Sequence, residues 1–210
     1  MTRIKICGIT NLDDARAAIE AGADALGFNF YARSPRYLAP GAAREIIGQL
    51  PESVECVGVF VNEDSPETVA RIVEESGVGA VQLHGDEGPE FCRALKKFPV
   101  IKALRVHENY APEDARQFET AAILLDAYCS QARGGTGKLL DWTLARRTRE
   151  LVGKLYLAGG LTPENVAEAI SFVQPYAVDV CSGIEAAPGQ KDHVRMRALI
   201  AAARELFQKP

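Results

Sequence analysis

The residues best suited to chemistry lie near the N-terminus, in the hexapeptide Lys5-Ile6-Cys7-Gly8-Ile9-Thr10. A short apolar strand ends there in a cysteine and a glycine, and strand residues two apart share a face, so Lys5 and Cys7 point the same way. Facing the middle of a closed parallel barrel, a lysine and a thiol would be costly as mere filling. At the C-terminal mouth of a barrel they would be positioned for chemistry. The alternative is that Cys7 is a small buried hydrophobic residue, as most free cysteines are.

Further polar side chains fall at or near the ends of other short apolar runs. His84 and Asp126 each close one run, and Asp179 lies within another. Arg36 follows an earlier run, in a loop that contains proline. With Cys7, these side chains suit a reaction on a polar, anionic small molecule. Each also has a structural alternative: a helix cap for Asp126, a satisfied core imidazole for His84, a surface charge for Arg36 and a structural ion pair for Asp179.

Glycines follow three consecutive apolar runs, as Gly134-Gly135-Thr136-Gly137, Gly159-Gly160 and Ser182-Gly183. Glycine lets a backbone approach a ligand closely, and backbone N–H groups at a helix N-terminus bind anions directly. Barrels often build a phosphate site from the loops after strands seven and eight. The pattern therefore predicts a phosphorylated substrate, bound through Gly135, Gly137, Gly159, Gly160, Ser182 and Gly183.

The elements that would position these residues alternate along the chain. Short apolar runs predict eight strands, at residues 4–7, 25–30, 56–61, 80–84, 100–106, 122–126, 155–158 and 177–180. Helical patterns follow them, among them 88–97, one near 111–118 and one opening at Thr162-Pro163-Glu164. Parallel strands need such crossovers, so the fold class predicted is α/β, as a single (β/α)8 TIM barrel of near-minimal length spanning 1–210. An open doubly wound sheet is the alternative, although no GxGxxG follows the first strand.

Composition excludes several classes of partner. Hydrophobic residues make up 47% of the chain, enough for a sizeable core, and the formal net charge of −4 favours neither nucleic acid nor an anionic membrane. An apolar run of the roughly 18 residues that a membrane span needs does not occur. The five cysteines are scattered without a CxxC pair. This argues against disulfides and a metal site and predicts a reducing, cytoplasmic location.

Taken together, the motifs resemble those of the phosphoribosylanthranilate isomerase family of tryptophan biosynthesis. The resemblance is collinear over essentially the whole chain. Cys181 departs from it, standing where the family often has serine, as do Ala177 and Leu139-Leu140. The matching stretches are Lys5–Thr10, Gly27-Phe28, Ser34–Arg36, Val57–Asn62, Gln82–Gly85, Leu125-Asp126, Gly134–Gly137, Leu157–Leu161, Asn165-Val166, Val178-Asp179, Ser182–Glu185, Pro188-Gly189 and Lys191-Asp192.

The resemblance implies an Amadori rearrangement, in which an aminoaldose phosphate becomes an aminoketose phosphate without a metal or redox cofactor. It makes Asp126 the general acid and Cys7 the general base. Arg36 would hold the anthranilate carboxylate. Lys5, His84 and Asp179 would support the substrate, and Lys5 is the nearest cation in sequence that could lower the pKa of Cys7. The partner expected is a small phosphorylated molecule, and the chain would be a monomer or homodimer.

Two other functions are compatible with parts of the sequence. Another phosphosugar-metabolising barrel, such as an epimerase or indole-glycerol-phosphate synthase, would lack the Lys-x-Cys-Gly opening. A thiol-based redox or sensor protein built around Cys7 would need a resolving cysteine nearby, and the next cysteine in sequence is Cys56.

Overall fold

A computed structural model describes residues 1–107, 109–126 and 142–206. Eight parallel strands close into a barrel in sequence order, and β1 is hydrogen-bonded to both β2 and β8. The predicted (β/α)8 barrel is confirmed. The strands are β1 (Arg3–Cys7), β2 (Ala25–Asn29), β3 (Glu55–Phe60), β4 (Ala80–Leu83), β5 (Val100–Arg105), β6 (Ala122–Asp126), β7 (Leu155–Ala158) and β8 (Ala177–Val180).

The helices that surround the barrel begin and end at recognisable residues. At α3, the Ser65 side chain accepts a hydrogen bond from the Thr68 N–H, and Gly77 ends the helix at a φ of 78°. Within the described residues, no helix has the length and apolar character that crossing a bilayer requires. The helices are α1 (Leu12–Ala21), α2 (Pro40–Ile47), α3 (Pro66–Ser76), α4 (Pro89–Ala94), α5 (Trp142–Leu151), α6 (Val166–Val173) and α7 (His193–Glu205), with 3-10 helices at Pro112–Gln117 and Ser182–Ile184.

The structure differs from the sequence prediction in four connections. The helix expected near 111–118 is a 3-10 helix, and α4 is shorter than predicted. The predicted helix start at Thr162 is a turn in which the Thr162 carbonyl accepts from the N–H groups of Asn165 and Val166, and α6 begins only after Asn165, whose φ of −122° and ψ of −13° lie outside the helical region. After β8, an unpredicted antiparallel hairpin forms from β9 (Glu185–Ala187) and β10 (Gln190–Lys191).

Alternation along the strands divides the interior into two layers. Ile4 and Ile6 of β1 belong to the layer between barrel and helices, whereas Val57 and Tyr156 belong to the apolar filling inside the barrel. Lys5 is fully buried between the two isoleucines in sequence and points to the opposite side, as the two-residue period predicted. Inward-facing positions at the upper ends of the strands therefore carry the polar groups.

A buried ion pair fixes the loop after β4. Lys102 donates to the Glu87 carboxylate at 2.8 Å and to the Gly85 carbonyl at 2.7 Å, and both charged side chains are 2% exposed. Glu87 also accepts from the backbone N–H groups of Asn62 and Gly85. One ion pair thus connects β5 to the loops that follow β3 and β4.

We predict that Lys102→Met lowers the free energy of unfolding by about 3–5 kcal/mol, because the Glu87 charge is left buried without its partner. Chemical denaturation monitored by circular dichroism measures the loss. Lys97→Met is the matched control, since Lys97 pairs with Glu74 on the surface at 58% exposure. Equal denaturation midpoints for the Lys102 and Lys97 variants would contradict the role given to the buried pair.

Candidate active site

A cavity of about 420 Å³ opens at the C-terminal ends of the barrel strands. Parallel barrels place their active sites at this end. Lys5 lies directly beneath the cavity, and Gly135 and Gly137 lie outside the described residues. The remaining predicted site residues line it: Cys7, Arg36, His84, Asp126, Gly159, Gly160, Asp179, Ser182 and Gly183.

Lys5 and Asp179 form an ion pair inside the barrel. Their side chains are 2.8 Å apart, and the register of β1 and β8 places the two residues side by side. Burial opposes the charge of Lys5, but attraction to Asp179 and Cys7 outweighs it and raises the pKa of the lysine. Burial also raises the pKa of Asp179 to about 6 despite Lys5, so the carboxylate is ionised at neutral pH. The pair fixes the position of the Lys5 ammonium group below Cys7.

The Cys7 thiol lies beside the thiol of Cys181. A hydrogen bond from Cys181 lowers the pKa of Cys7 well below its ordinary value near 9, against the effect of burial and with help from Lys5 and Lys191. The same interaction with Cys7, together with burial, raises the pKa of Cys181. Of the two thiols, Cys7 is therefore the one that ionises first. An ionised thiol is both a base and a nucleophile.

Arg36 is held by a carboxylate that the sequence reasoning did not identify as a site residue. Its Nε lies 2.9 Å from Glu185 Oε1 and its Nη2 2.6 Å from Oε2, a bidentate contact. Lys191 Nζ lies 3.0 Å from Glu185 Oε1, and Gly189 N–H donates to the same oxygen at 3.3 Å. The hydrogen bond from Arg36 and the charge of Lys191 outweigh burial and lower the pKa of Glu185. The guanidinium is thus fixed at the rim of the cavity.

His84 and Asp126 meet at the end of β4 and β6. His84 Nε2 is 3.5 Å from Asp126 Oδ2, and its Nδ1 is 2.9 Å from Gln82 Nε2. If Gln82 donates to Nδ1, the neutral imidazole carries its proton on Nε2, toward Asp126. Gln82 is 1% exposed and lines the cavity, and its Oε1 has no partner among the described residues. This side of the cavity can hold and donate a proton.

The loops after β7 and β8 bring backbone close to the cavity. Gly159 and Gly160 both adopt positive φ, of 93° and 66°. The Asn165 side chain donates to the Gly160 carbonyl at 2.9 Å and so fixes this turn. At Gly183 a Cβ would collide with the Leu161 carbonyl, so only glycine allows the two loops to approach so closely. The two loops thus present backbone to the cavity at Gly159, Gly160 and Gly183, and the binding of an anion there stays a prediction.

The structure therefore brings all the described candidate residues to one end of the barrel, but it adds four that sequence reasoning missed as site residues: Gln82, Cys181, Glu185 and Lys191. The sequence did contain a signal for Cys181. It lies two residues after Asp179, just as Cys7 lies two residues after Lys5, and Lys5 and Asp179 are partners in the register of β1 and β8. Glu185 and Lys191 stood only within stretches that match the family, and Lys191 lies on a hairpin that the pattern did not predict.

The fold and the cavity define a (β/α)8-barrel enzyme whose C-terminal mouth is lined by a thiol, an imidazole and carboxylates. The family model described as N-(5'phosphoribosyl)anthranilate (PRA) isomerase matches residues 4–202. The chain belongs to that family, as its motifs predicted.

Relatives cover the chain almost completely. The N-(5'-phosphoribosyl)anthranilate isomerase of Trichlorobacter lovleyi is 49% identical over 98% of this chain and 99% of its own length. The crystal structure of phosphoribosyl anthranilate isomerase from Thermotoga maritima has a TM-score of 0.89 at 47% identity, over 98% of this chain and 100% of that one. A further isomerase structure, in complex with reduced 1-(o-carboxyphenylamino)-1-deoxyribulose 5-phosphate, has a TM-score of 0.86 at 45% identity over 98% of this chain and 100% of that one.

We predict that the rate of Cys7 alkylation by iodoacetamide reaches its maximum at a pH below that at which an ordinary thiol ionises. Only the thiolate reacts with iodoacetamide, and the pKa of Cys7 is lowered. Peptide mass spectrometry after timed alkylation from pH 5 to pH 10 gives the profile. Cys56 is the internal control, since burial raises its pKa to about 11. A Cys7 rate that rises only alongside that of Cys56 would contradict the electrostatics described above.

Proposed function

We propose that this protein catalyses the Amadori rearrangement of N-(5'-phosphoribosyl)anthranilate to 1-(2-carboxyphenylamino)-1-deoxyribulose 5-phosphate. The observation that carries the proposal is the arrangement of one cavity: an ionisable thiol at β1 and a carboxylate at β6, with an arginine and glycine loops around them. The ligand named for the related complex carries an aromatic carboxylate and a phosphate. The arginine suits the carboxylate, and the glycine loops suit the phosphate.

In the proposed reaction, Asp126 acts as the general acid. It gives a proton to the furanose ring oxygen, and the ring opens to a Schiff base. His84 Nε2, 3.5 Å from Asp126, is placed to orient the carboxyl group. Proton donation by a positioned side chain lowers the barrier because the leaving oxygen need not depart as an anion.

Cys7 acts as the general base. It removes the C2′ proton of the Schiff base, giving an enolamine that tautomerises to the ketone. A thiolate is suited to this step at neutral pH because Cys181 and Lys5 favour the ionised form of Cys7. The strands that carry base and acid, β1 and β6, are separated in the barrel order, so the two groups reach the sugar from different sides.

Recognition uses the two ends of the cavity. Glu185 occupies Nε and Nη2 of Arg36, which leaves the Nη1 edge of the guanidinium for the substrate carboxylate. The phosphate would bind the backbone of Gly159, Gly160, Ser182 and Gly183, with Gly135 and Gly137 proposed to join them. Lys5 and Asp179 act from below, by fixing the charge under Cys7.

The remaining features of the functional assignment stay predictions. These are the cytoplasmic location, the absence of a cofactor and of a nucleic-acid partner, and a monomeric or homodimeric state. A structure of one relative is described as monomers of a dimeric isomerase from Thermotoga maritima.

The direct test is the conversion of N-(5'-phosphoribosyl)anthranilate, whose anthranilate group is fluorescent. Incubation with the purified protein and no added cofactor should abolish this fluorescence and yield the aminoketose phosphate, identified by its mass and its ketone carbon resonance. Unchanged substrate would contradict the proposal.

We predict that Cys7→Ser and Asp126→Asn each lower kcat by about 10²- to 10⁴-fold, because each removes a group that moves a proton in the transition state. Steady-state kinetics measures the change, and circular dichroism confirms the fold. Cys92→Ser, in the outer core layer, is the control and should keep wild-type kcat. Near-wild-type turnover in the Cys7 or Asp126 variant would remove that residue from the mechanism.

We predict that Arg36→Met raises KM more than it lowers kcat, because the carboxylate contact exists in ground and transition states alike. The loss in kcat/KM should be about 2–5 kcal/mol. Arg36→Lys should recover only part of it, since lysine keeps the charge without the bidentate fork.

A substrate that lacks the carboxylate is the control for Arg36. The wild type should convert it poorly, and Arg36→Met should make it little worse. If the substitution reduces kcat/KM for both substrates equally, Arg36 is not the partner of the carboxylate.

A further inference from the structure

Cys181 is a second thiol in the cavity, and it transfers no proton in the reaction proposed above. The register of β1 and β8 pairs Lys5 with Asp179 and Ile6 with Val180, so the next residues along, Cys7 and Cys181, lie side by side where the ladder ends. Neighbouring strands run about 4.8 Å apart, which lies within the Cα separations of about 4.4–6.8 Å that a disulfide spans.

Both thiols can be reached from the cavity. Cys7 and Cys181 line it and are each partly exposed. Glycines leave room for both sulfur atoms: a Cβ on Gly8, after β1, would lie 2.9 Å from Cys181 Sγ, and one on Gly27, in β2, would lie 2.7 Å from Cys7 Sγ. The other described cysteines, Cys56 and Cys92, are buried in the outer layer of the core, away from the cavity.

Charged groups around the pair suit thiol oxidation. Lys5 faces Cys7, and Lys191 Nζ lies 3.8 Å from Cys181 Sγ, so two cations stabilise negative charge on sulfur. Cys181 Sγ also lies 3.7 Å from Glu185 Oε1, and the Glu185 carboxylate holds Lys191 beside this sulfur. Reactive cysteines are found in electropositive, accessible surroundings of this kind, with a resolving cysteine next to them.

We propose that Cys7 and Cys181 form a reversible intramolecular disulfide when the protein meets a hydroperoxide, with Cys7 attacking the peroxide and Cys181 resolving the product.

The steps balance for hydrogen peroxide as the oxidant. Cys7 thiolate attacks one peroxide oxygen, the O–O bond breaks, and protonation of the departing hydroxide gives water and Cys7 sulfenic acid. Cys181 then attacks the Cys7 sulfur, the S–O bond of the sulfenic acid breaks, and the departing hydroxide takes up the proton that Cys181 loses, forming water. Two thiols are oxidised to one disulfide, and one peroxide is reduced to two waters.

The consequence for activity rests on the proposed function. If Cys7 is the general base of the isomerase, the disulfide removes it and switches the enzyme off until a dithiol reductant restores it. The disulfide itself is independent of that role, because its formation is read from mass and not from turnover. Cys181 is thus a candidate control point that a serine at the same position would lack.

The test treats the full-length protein with equimolar hydrogen peroxide and then analyses it without reduction. The expected result is an intact mass lower by about 2 Da, from the loss of two thiol hydrogens, and a peptide map that joins the Cys7 peptide to the Cys181 peptide. Isomerase activity should fall at least tenfold and return to its starting value with dithiothreitol. Cys129→Ser should behave identically, as should the buried-site control Cys56→Ser.

The Cys181→Ser variant separates a disulfide from simple oxidation. Its own untreated activity is the reference, and the same treatment should give no linked peptides. Longer exposure should take Cys7 to sulfinic acid, with a loss that dithiothreitol does not reverse. Cys7 and Cys181 peptides that remain unlinked in the treated wild type, or a link from Cys7 to another cysteine, would overturn the proposal. A Cys7–Cys181 disulfide without loss of turnover would support the oxidation site and contradict Cys7 as the base.

Discussion

The site depends on one buried electrostatic interaction, the ion pair between Lys5 and Asp179. An ammonium group inside a barrel is tolerated only when a carboxylate neutralises it at hydrogen-bond distance, and the two groups lie 2.8 Å apart. The partners come from β1 and β8, the first and last strands of the barrel. The pairing of β1 with β8 that closes the barrel therefore also forms the ion pair that holds Lys5 beneath Cys7.

Above this pair, the thiols and the His84–Asp126 pair lie on different sides of the cavity. The thiols of Cys7 and Cys181 lie over Lys5 where β1 meets β8, whereas His84 and Asp126 lie at the ends of β4 and β6. The proposed base and the proposed acid therefore come from different strands, so they can act on one substrate without neutralising each other. The network around Glu185 holds Arg36 at the rim, so the proposed recognition of the substrate carboxylate would need little rearrangement of the protein.

The sequence predicted most of this architecture because its signals are local. Period-two alternation places Lys5 and Cys7 inward, and strand ends identify His84 and Asp126. Contacts between distant loops gave no such signal: Arg36 and Glu185 are 149 residues apart, and Lys191 reaches Glu185 from a hairpin without a clear apolar pattern. Backbone angles also decide helix boundaries that residue types do not show, as at α6, where the non-helical angles of Asn165 delay the helix by one turn.

The most direct test of this account is the pH dependence of kcat/KM for N-(5'-phosphoribosyl)anthranilate, whose rising limb reports the ionisation of the base in the free enzyme. The account predicts a limb centred well below the ordinary thiol value of 9, because a hydrogen bond from Cys181 and the charge of Lys5 favour the Cys7 thiolate. Cys181→Ala should move this limb to higher pH. A limb that is unchanged in Cys181→Ala, or that lies at the ordinary thiol value in the wild type, would contradict it.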